Sequence, residues 1–85
     1  MPTIARFSGI VIRMNPKGKE HNPPHVHVQY DNYEITFDIV NMISRGWWFL
    51  KKQFKQSEKF IRSHAQELIE MWDTQNFRLI ESKEE

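Results

Sequence analysis

Three of the four histidines, His21, His25 and His27, fall within seven residues, beside the only double proline, Pro23-Pro24. Neutral imidazole is a ligand for zinc and other divalent metals, and two histidines with one carboxylate form a known catalytic set. The same side chains titrate near neutrality, so they could instead exchange protons as acid and base without a metal. A cross-strand hydrogen-bonded pair with a structural role is the third reading.

The flanking residues decide which groups can meet. The two prolines fix φ and bias the residue before each towards extended geometry, which puts His21 on a loop. From His25 the chain alternates, with Val26, Val28 and Tyr30 on one side and His25, His27 and Gln29 on the other, the pattern of a half-buried strand. Asp31-Asn32 suits a two-residue turn, and Tyr33 to Ile39 alternates again. A two-residue loop sets Tyr30 opposite Tyr33, Val28 opposite Ile35 and Val26 opposite Phe37, building an apolar side. The other side then carries Gln29 opposite Glu34, His27 opposite Thr36 and His25 opposite Asp38. His25 and His27 would lie roughly 6.5 to 7 Å apart at the backbone, close enough for two rings to reach one ion. Asp38 becomes the fourth candidate, as a ligand or as the group that holds a histidine tautomer.

A second constellation is basic. Lys52, Lys55, Lys59 and Arg62 recur at intervals of three, four and three, so they share one helix face. With Arg45 and Lys51 beside Trp47 and Trp48, they could hold phosphates and stack a base. The plainer reading is a solvated face opposite an apolar stripe. Two adjacent tryptophans cannot both point inward on a regular element, so one should be an exposed anchor for a partner or a cover over the sheet edge.

Composition limits the classes of protein this can be. At 85 residues the chain makes one domain, with 39% hydrophobic and 13% aromatic residues, enough for a small core. There is no cysteine, which removes disulfides, thiolate zinc sites and a cysteine nucleophile. No glycine-rich phosphate loop is present. The net charge is +1, but it is arranged in blocks. Residues 1 to 19 carry four bases and no acid, 20 to 44 four acids and no Lys or Arg, and Arg45 to His64 six bases against Glu58. From Ala65 onward six acids face Arg78 and Lys83. The start lacks an apolar run of signal-peptide length, and Gly46 to Leu50 is too short to span a bilayer. A soluble cytoplasmic protein with no membrane partner is expected.

The remaining segments supply the frame. Ile4 to Arg13 reads as one strand, with Phe7, Gly9, Val11 and Arg13 on one side and Gly9 marking a bulge or a close approach. Asn41 to Gly46 fits a short edge strand or a turn. Leu50, Phe54, Ser57, Ile61, Ala65, Leu68 and Trp72 recur at helical spacing, predicting helix from about Phe49 to Gln75. Ser63 with Gln66 could form a capping box and break it. Phe77 to Ile80 adds a strand or packs, and 81–85 frays. The expected fold is α+β in a single domain, 1–44 mainly β and 49–75 mainly α. A small antiparallel sheet of three to four strands packs one face on the C-terminal helical region, through Phe54, Ile61, Leu68 and Trp72, which leaves His25, His27 and Asp38 on the opposite face.

The start Met1-Pro2-Thr3-Ile4, with Arg6-Phe7 and Gly9-Ile10-Val11-Ile12, the phrase His21-Asn22-Pro23-Pro24-His25-Val26-His27-Val28, and the helical His64, Glu67-Leu68 and Trp72 together resemble a bacterial domain-of-unknown-function family, catalogued as 4160. Between Ile43 and Lys52 the chain departs from the family's Gly, Leu, Pro segment, carrying Arg45-Gly46-Trp47-Trp48-Phe49 instead. The resemblance implies a small stand-alone protein without an established activity, often encoded beside a second small protein in a toxin and antitoxin-like arrangement.

Two functions of different class follow as expectations. One is an interaction module, half of a two-protein regulatory pair, that binds a small protein partner and RNA or DNA through Lys52, Lys55, Lys59, Arg62, Trp47 and Trp48. The other is a metal-dependent, for instance zinc, or histidine-based hydrolase or nuclease using His21, His25, His27 and Asp38. Whether a second copy covers the histidine face stays open.

Overall fold

The computed structural model describes residues 2–16, 23–46 and 50–80. Five strands, β1 (Thr3–Phe7), β2 (Ile10–Arg13), β3 (His25–Tyr30), β4 (Tyr33–Asp38) and β5 (Ile43–Gly46), precede two helices, α1 (Lys51–Ser63) and α2 (Ala65–Thr74). The strands form one antiparallel sheet in chain order, so the fold is α+β with five strands rather than three to four.

The extra strand comes from the opening segment. Ser8 and Gly9 take φ of +51° and +79°, the left-handed pair that closes a two-residue hairpin, and the expected single strand 4–13 becomes β1 and β2. The turn reverses the phase of the alternation. Phe7 stands opposite Ile10 and Ala5 opposite Ile12, so Phe7 shares the buried side with Ile10 and Ile12, not with Val11 and Arg13. The bulge lies between Thr3 and Ala5, while Gly9 marks a close approach: a Cβ there would stand 3.1 Å from Tyr30 Cε1.

The central hairpin follows the pattern of its residues. Asp31 takes φ of +56°, Tyr30 stands opposite Tyr33, and all six pairs from His25↔Asp38 to Tyr30↔Tyr33 fall in the register that the alternation predicts. Asn41 to Gly46 contributes β5, an edge strand whose four residues are all exposed.

The helices cover the apolar side diagonally. Phe54 lies 6.0 Å from Phe37 on β4, and Phe60 stacks at 4.8 Å on Phe7 of β1, so α1 runs from above β4 towards β1. The expected continuous helix breaks at His64, whose φ of −115° leaves the helical region. The Ser63–Gln66 capping box does not form; His64 is the cap residue of both helices. Its amide and its Nδ1 both lie 3.0 Å from the Phe60 carbonyl oxygen, and its ring stacks on Phe60 at 4.3 Å. Leu68, Met71 and Trp72 of α2 complete a core with Ile4, Ile10, Ile12, Val26, Val28 and Phe37. Gln75 ends α2 in the left-handed conformation at φ +61°. Phe77 packs on the core, and the Ile80 amide donates to the Ile4 carbonyl at 2.7 Å, tying this segment to β1.

Candidate functional site

The sheet brings the histidine strand between Arg13 on β2 and Thr36 on β4, both opposite His27. His25 opens β3. Its Nδ1 lies 2.9 Å from the Pro23 carbonyl oxygen, which can only accept, so Nδ1 carries the proton of the neutral ring and Nε2 the lone pair. The stiff Pro-Pro arm thereby fixes the tautomer of the histidine that follows it.

His27 is approached from β4 on one side and from the residues just after β2 on the other. Its Nδ1 is 3.5 Å from Glu34 Oε2, an electrostatic contact longer than a well-formed hydrogen bond, and its Nε2 is 3.4 Å from Asn15 Nδ2. The side chain is only 17% exposed. Arg13 donates to the Gln29 side chain on the same stretch of sheet. The two rings meet edge to face, 5.4 Å between centroids.

Two expectations about this group are corrected. Asp38 stands opposite His25 on the ladder, but its carboxylate turns away into the β4–β5 turn. Oδ1 accepts from the Val40 and Asn41 amides at 2.9 and 3.0 Å, and Oδ2 from the Asn41 side chain at 3.0 Å. Partial burial pushes the carboxyl up, but the Asn41 and Val40 hydrogen bonds and the charge of Arg45 outweigh it and hold the pKa below the usual carboxylate range. Nor does His25 stand apart from the helices. The His25 ring lies 5.0 Å from that of Trp72 on α2.

Among the described residues no group of three His, Cys, Asp or Glu side chains converges as a metal site would require. His21 lies outside the described residues, as do Trp47 and Trp48. His25, His27, Arg13 and Asn15 therefore form the cluster that the sheet assembles, and Asp38 belongs to a turn. Arg13 and Asn15 carried no signal in the spacing. Only the β2–β3 pairing brings them alongside His27.

The basic constellation is assembled as its spacing predicts. Lys52, Lys55, Lys59 and Arg62 are all exposed on α1, joined by Lys51. Arg62 pairs with Glu58 at 3.3 Å, one turn away. Arg45 is exposed on β5.

Residues 9–73 match the domain of unknown function DUF4160. The chain belongs to this family. The match takes in the sheet from the Ser8–Gly9 turn onward, the histidine strand, α1 and nearly all of α2, so both constellations lie inside the DUF4160 domain. No curated protein and no solved structure matches the chain.

Among the described residues of this domain no helix is long and apolar enough to cross a membrane.

Proposed function

We propose that this DUF4160 domain is a binding module of the cytoplasm, half of a two-protein regulatory pair of the toxin and antitoxin kind, that contacts RNA or DNA through the exposed face of α1. The observation that carries the reading is the segregation of charge between the helices. Helix α1 bears Lys51, Lys52, Lys55, Lys59 and Arg62 against Glu58, while α2 bears Glu67, Glu70 and Asp73 and no base. A nearly neutral protein thus offers one cationic ridge. From Lys52 to Arg62 that ridge runs about 15 Å along the helix axis, the length of roughly four phosphate steps on one strand of a duplex.

The test is fluorescence anisotropy with labelled single-stranded RNA and DNA and a duplex of each, across a salt series. Binding should weaken steadily with salt, by about 0.7 to 0.9 of a log unit per log unit of salt for each phosphate neutralised. Lys55→Glu with Lys59→Glu should abolish it. Binding that survives this double change overturns the nucleic-acid contact.

The second reading is a histidine-based hydrolase or nuclease centred on His25 and His27, with zinc or another divalent metal as an option. The paired rings favour it, since an acceptor faces Nδ1 of each: the Pro23 carbonyl for His25 and Glu34 for His27. A His25→Ala protein that keeps every phenotype of the parent removes this reading.

A further inference from the structure

The two edges of the sheet are finished differently. At the β1 edge the Ile4 carbonyl is taken by the Ile80 amide at 2.7 Å, so the C-terminal segment occupies part of that edge. At the other edge all four residues of β5 are exposed, and among the described residues no strand lies on its outer side. An edge strand presents backbone donors and acceptors that another extended chain can complete. The side chains around β5 add a chemical preference. Val40 and Ile43 are 55% and 49% exposed, an apolar foothold at the start of the strand. Ile43 and Arg45, opposite Asp38 and Thr36, share one side of the sheet. Beyond Gly46 the chain leads within six residues to Lys51 and Lys52, both exposed.

We propose that β5 is a docking edge for an extended segment of a partner protein, one in which pairs of apolar residues alternate with pairs of carboxylates, so that each face carries both, and which adds as a sixth strand. Its backbone completes the ladder, its apolar side chains rest on Val40 and Ile43, and its carboxylates meet Arg45 and the lysines that open α1. A second copy of this chain fits the edge poorly. Antiparallel pairing of two identical strands about a two-fold axis sets some residue against itself. Centring on Arg45 opposes two guanidinium groups directly, a destabilising like-charge pair. Centring on Ser44 avoids that contact, but the axis keeps both helical layers on the same side. The lysine-rich starts of the two α1 helices, which lie towards β4, then approach one another. Nucleic acid has no backbone to complete a β-ladder. This inference rests on the reading of the domain as a binding module, but not on its nucleic-acid contact.

The experiment is amide NMR with hydrogen exchange on the full chain, titrated with three capped eight-residue peptides. One repeats valine-valine-glutamate-glutamate, one valine-valine-lysine-lysine, and the third is the glutamate peptide with every amide N-methylated, so that neither of its edges can donate to a ladder. The glutamate peptide should shift β4 and β5 and slow exchange within residues 43–46 at least about tenfold at saturation. The lysine and N-methylated peptides should do neither at the same concentration. Arg45→Glu should reverse the preference between glutamate and lysine. The proposal is overturned if exchange within residues 43–46 is unchanged by the glutamate peptide, or if the N-methylated peptide binds equally well, since charge alone would then explain the contact. It is also overturned if those amides become protected with rising protein concentration and no peptide, which would make a second copy the occupant. Failure of the nucleic-acid reading appears separately, as oligonucleotide binding indifferent to Lys55 and Lys59.

Discussion

His25 and Asp38 stand opposite each other on the β3–β4 ladder, yet their side chains have different partners. The imidazole turns to the Pro23 carbonyl and Trp72, the carboxylate to the Val40 and Asn41 amides. Backbone adjacency across a sheet sets what two residues can do, and local hydrogen bonds decide what they actually do.

Asp38 should accordingly behave as a turn residue. Asp38→Ala removes the acceptor for two amides and should cost about 1 to 2 kcal/mol, by analogy with a lost helix cap. Asp38→Asn keeps one acceptor oxygen and should cost less. Because the folded pKa is depressed, the contribution of the charge is complete above the unfolded value of about 3.9 and is lost as pH falls through the folded value. Urea titrations at pH 7 and pH 3 should show the gap between the parent and Asp38→Asn narrowing at the lower pH.

Whatever zinc the protein takes up should be insensitive to Asp38→Asn and sensitive to His25→Ala. The carboxylate is committed to three hydrogen-bond donors in the turn, while the Pro23 contact fixes the His25 tautomer with the proton on Nδ1 and the basic lone pair on Nε2. Calorimetric zinc titration of the two variants checks this. An equal loss in both would return Asp38 to the site.

The Ser8–Gly9 turn should discriminate sharply between its two residues. Gly9→Val places a branched side chain at φ +79°, with its Cβ 3.1 Å from the Tyr30 ring, and should destabilise by at least about 2 kcal/mol. Ser8→Asn, at φ +51°, should be neutral or stabilising by a few tenths of a kcal/mol. Thermal midpoints of the two variants measure the difference.

Trp72→Ala should be the most damaging of these changes. The indole is fully buried and carries the His25 ring, so its removal should cost about 3 to 5 kcal/mol. A small domain has only about 5 to 15 kcal/mol in all, so much of the protein should unfold at modest denaturant. His25→Ala, at the half-buried rim of the same contact, should cost distinctly less. Circular dichroism in urea separates the two.

The central hairpin was legible in the sequence because three signals agreed: alternation in both strands, a turn-forming Asp-Asn pair, and a register in which every apolar residue found an apolar partner. The opening hairpin was hidden for the opposite reason. Apolar residues on both sides of Ile10-Val11-Ile12 blur the change of phase at Ser8 and Gly9, and serine is not a residue that advertises positive φ. The helix periodicity located the buried stripe through Trp72, but an apolar stripe passes through the break at His64 undisturbed. Of the candidate site, the backbone positions of His25, His27 and Asp38 were readable. The direction of the Asp38 carboxylate was not, because spacing carries no information about which nearby amides a carboxylate will choose. Arg13 and Asn15 needed the β2–β3 register, which spans a segment without periodicity.

The bond from Ile80 to Ile4 has a kinetic consequence. Every strand pairing in this meander is between neighbours in the chain, and two of the turns are only two residues long, so the sheet can zip from local hairpins on the microsecond scale. The link between β1 and the last described residues closes nearly the whole chain into a loop and carries the largest closure entropy of any contact described. It should lock late in folding and open first, so that β1 and the segment after α2 breathe together while the histidine strand stays shut.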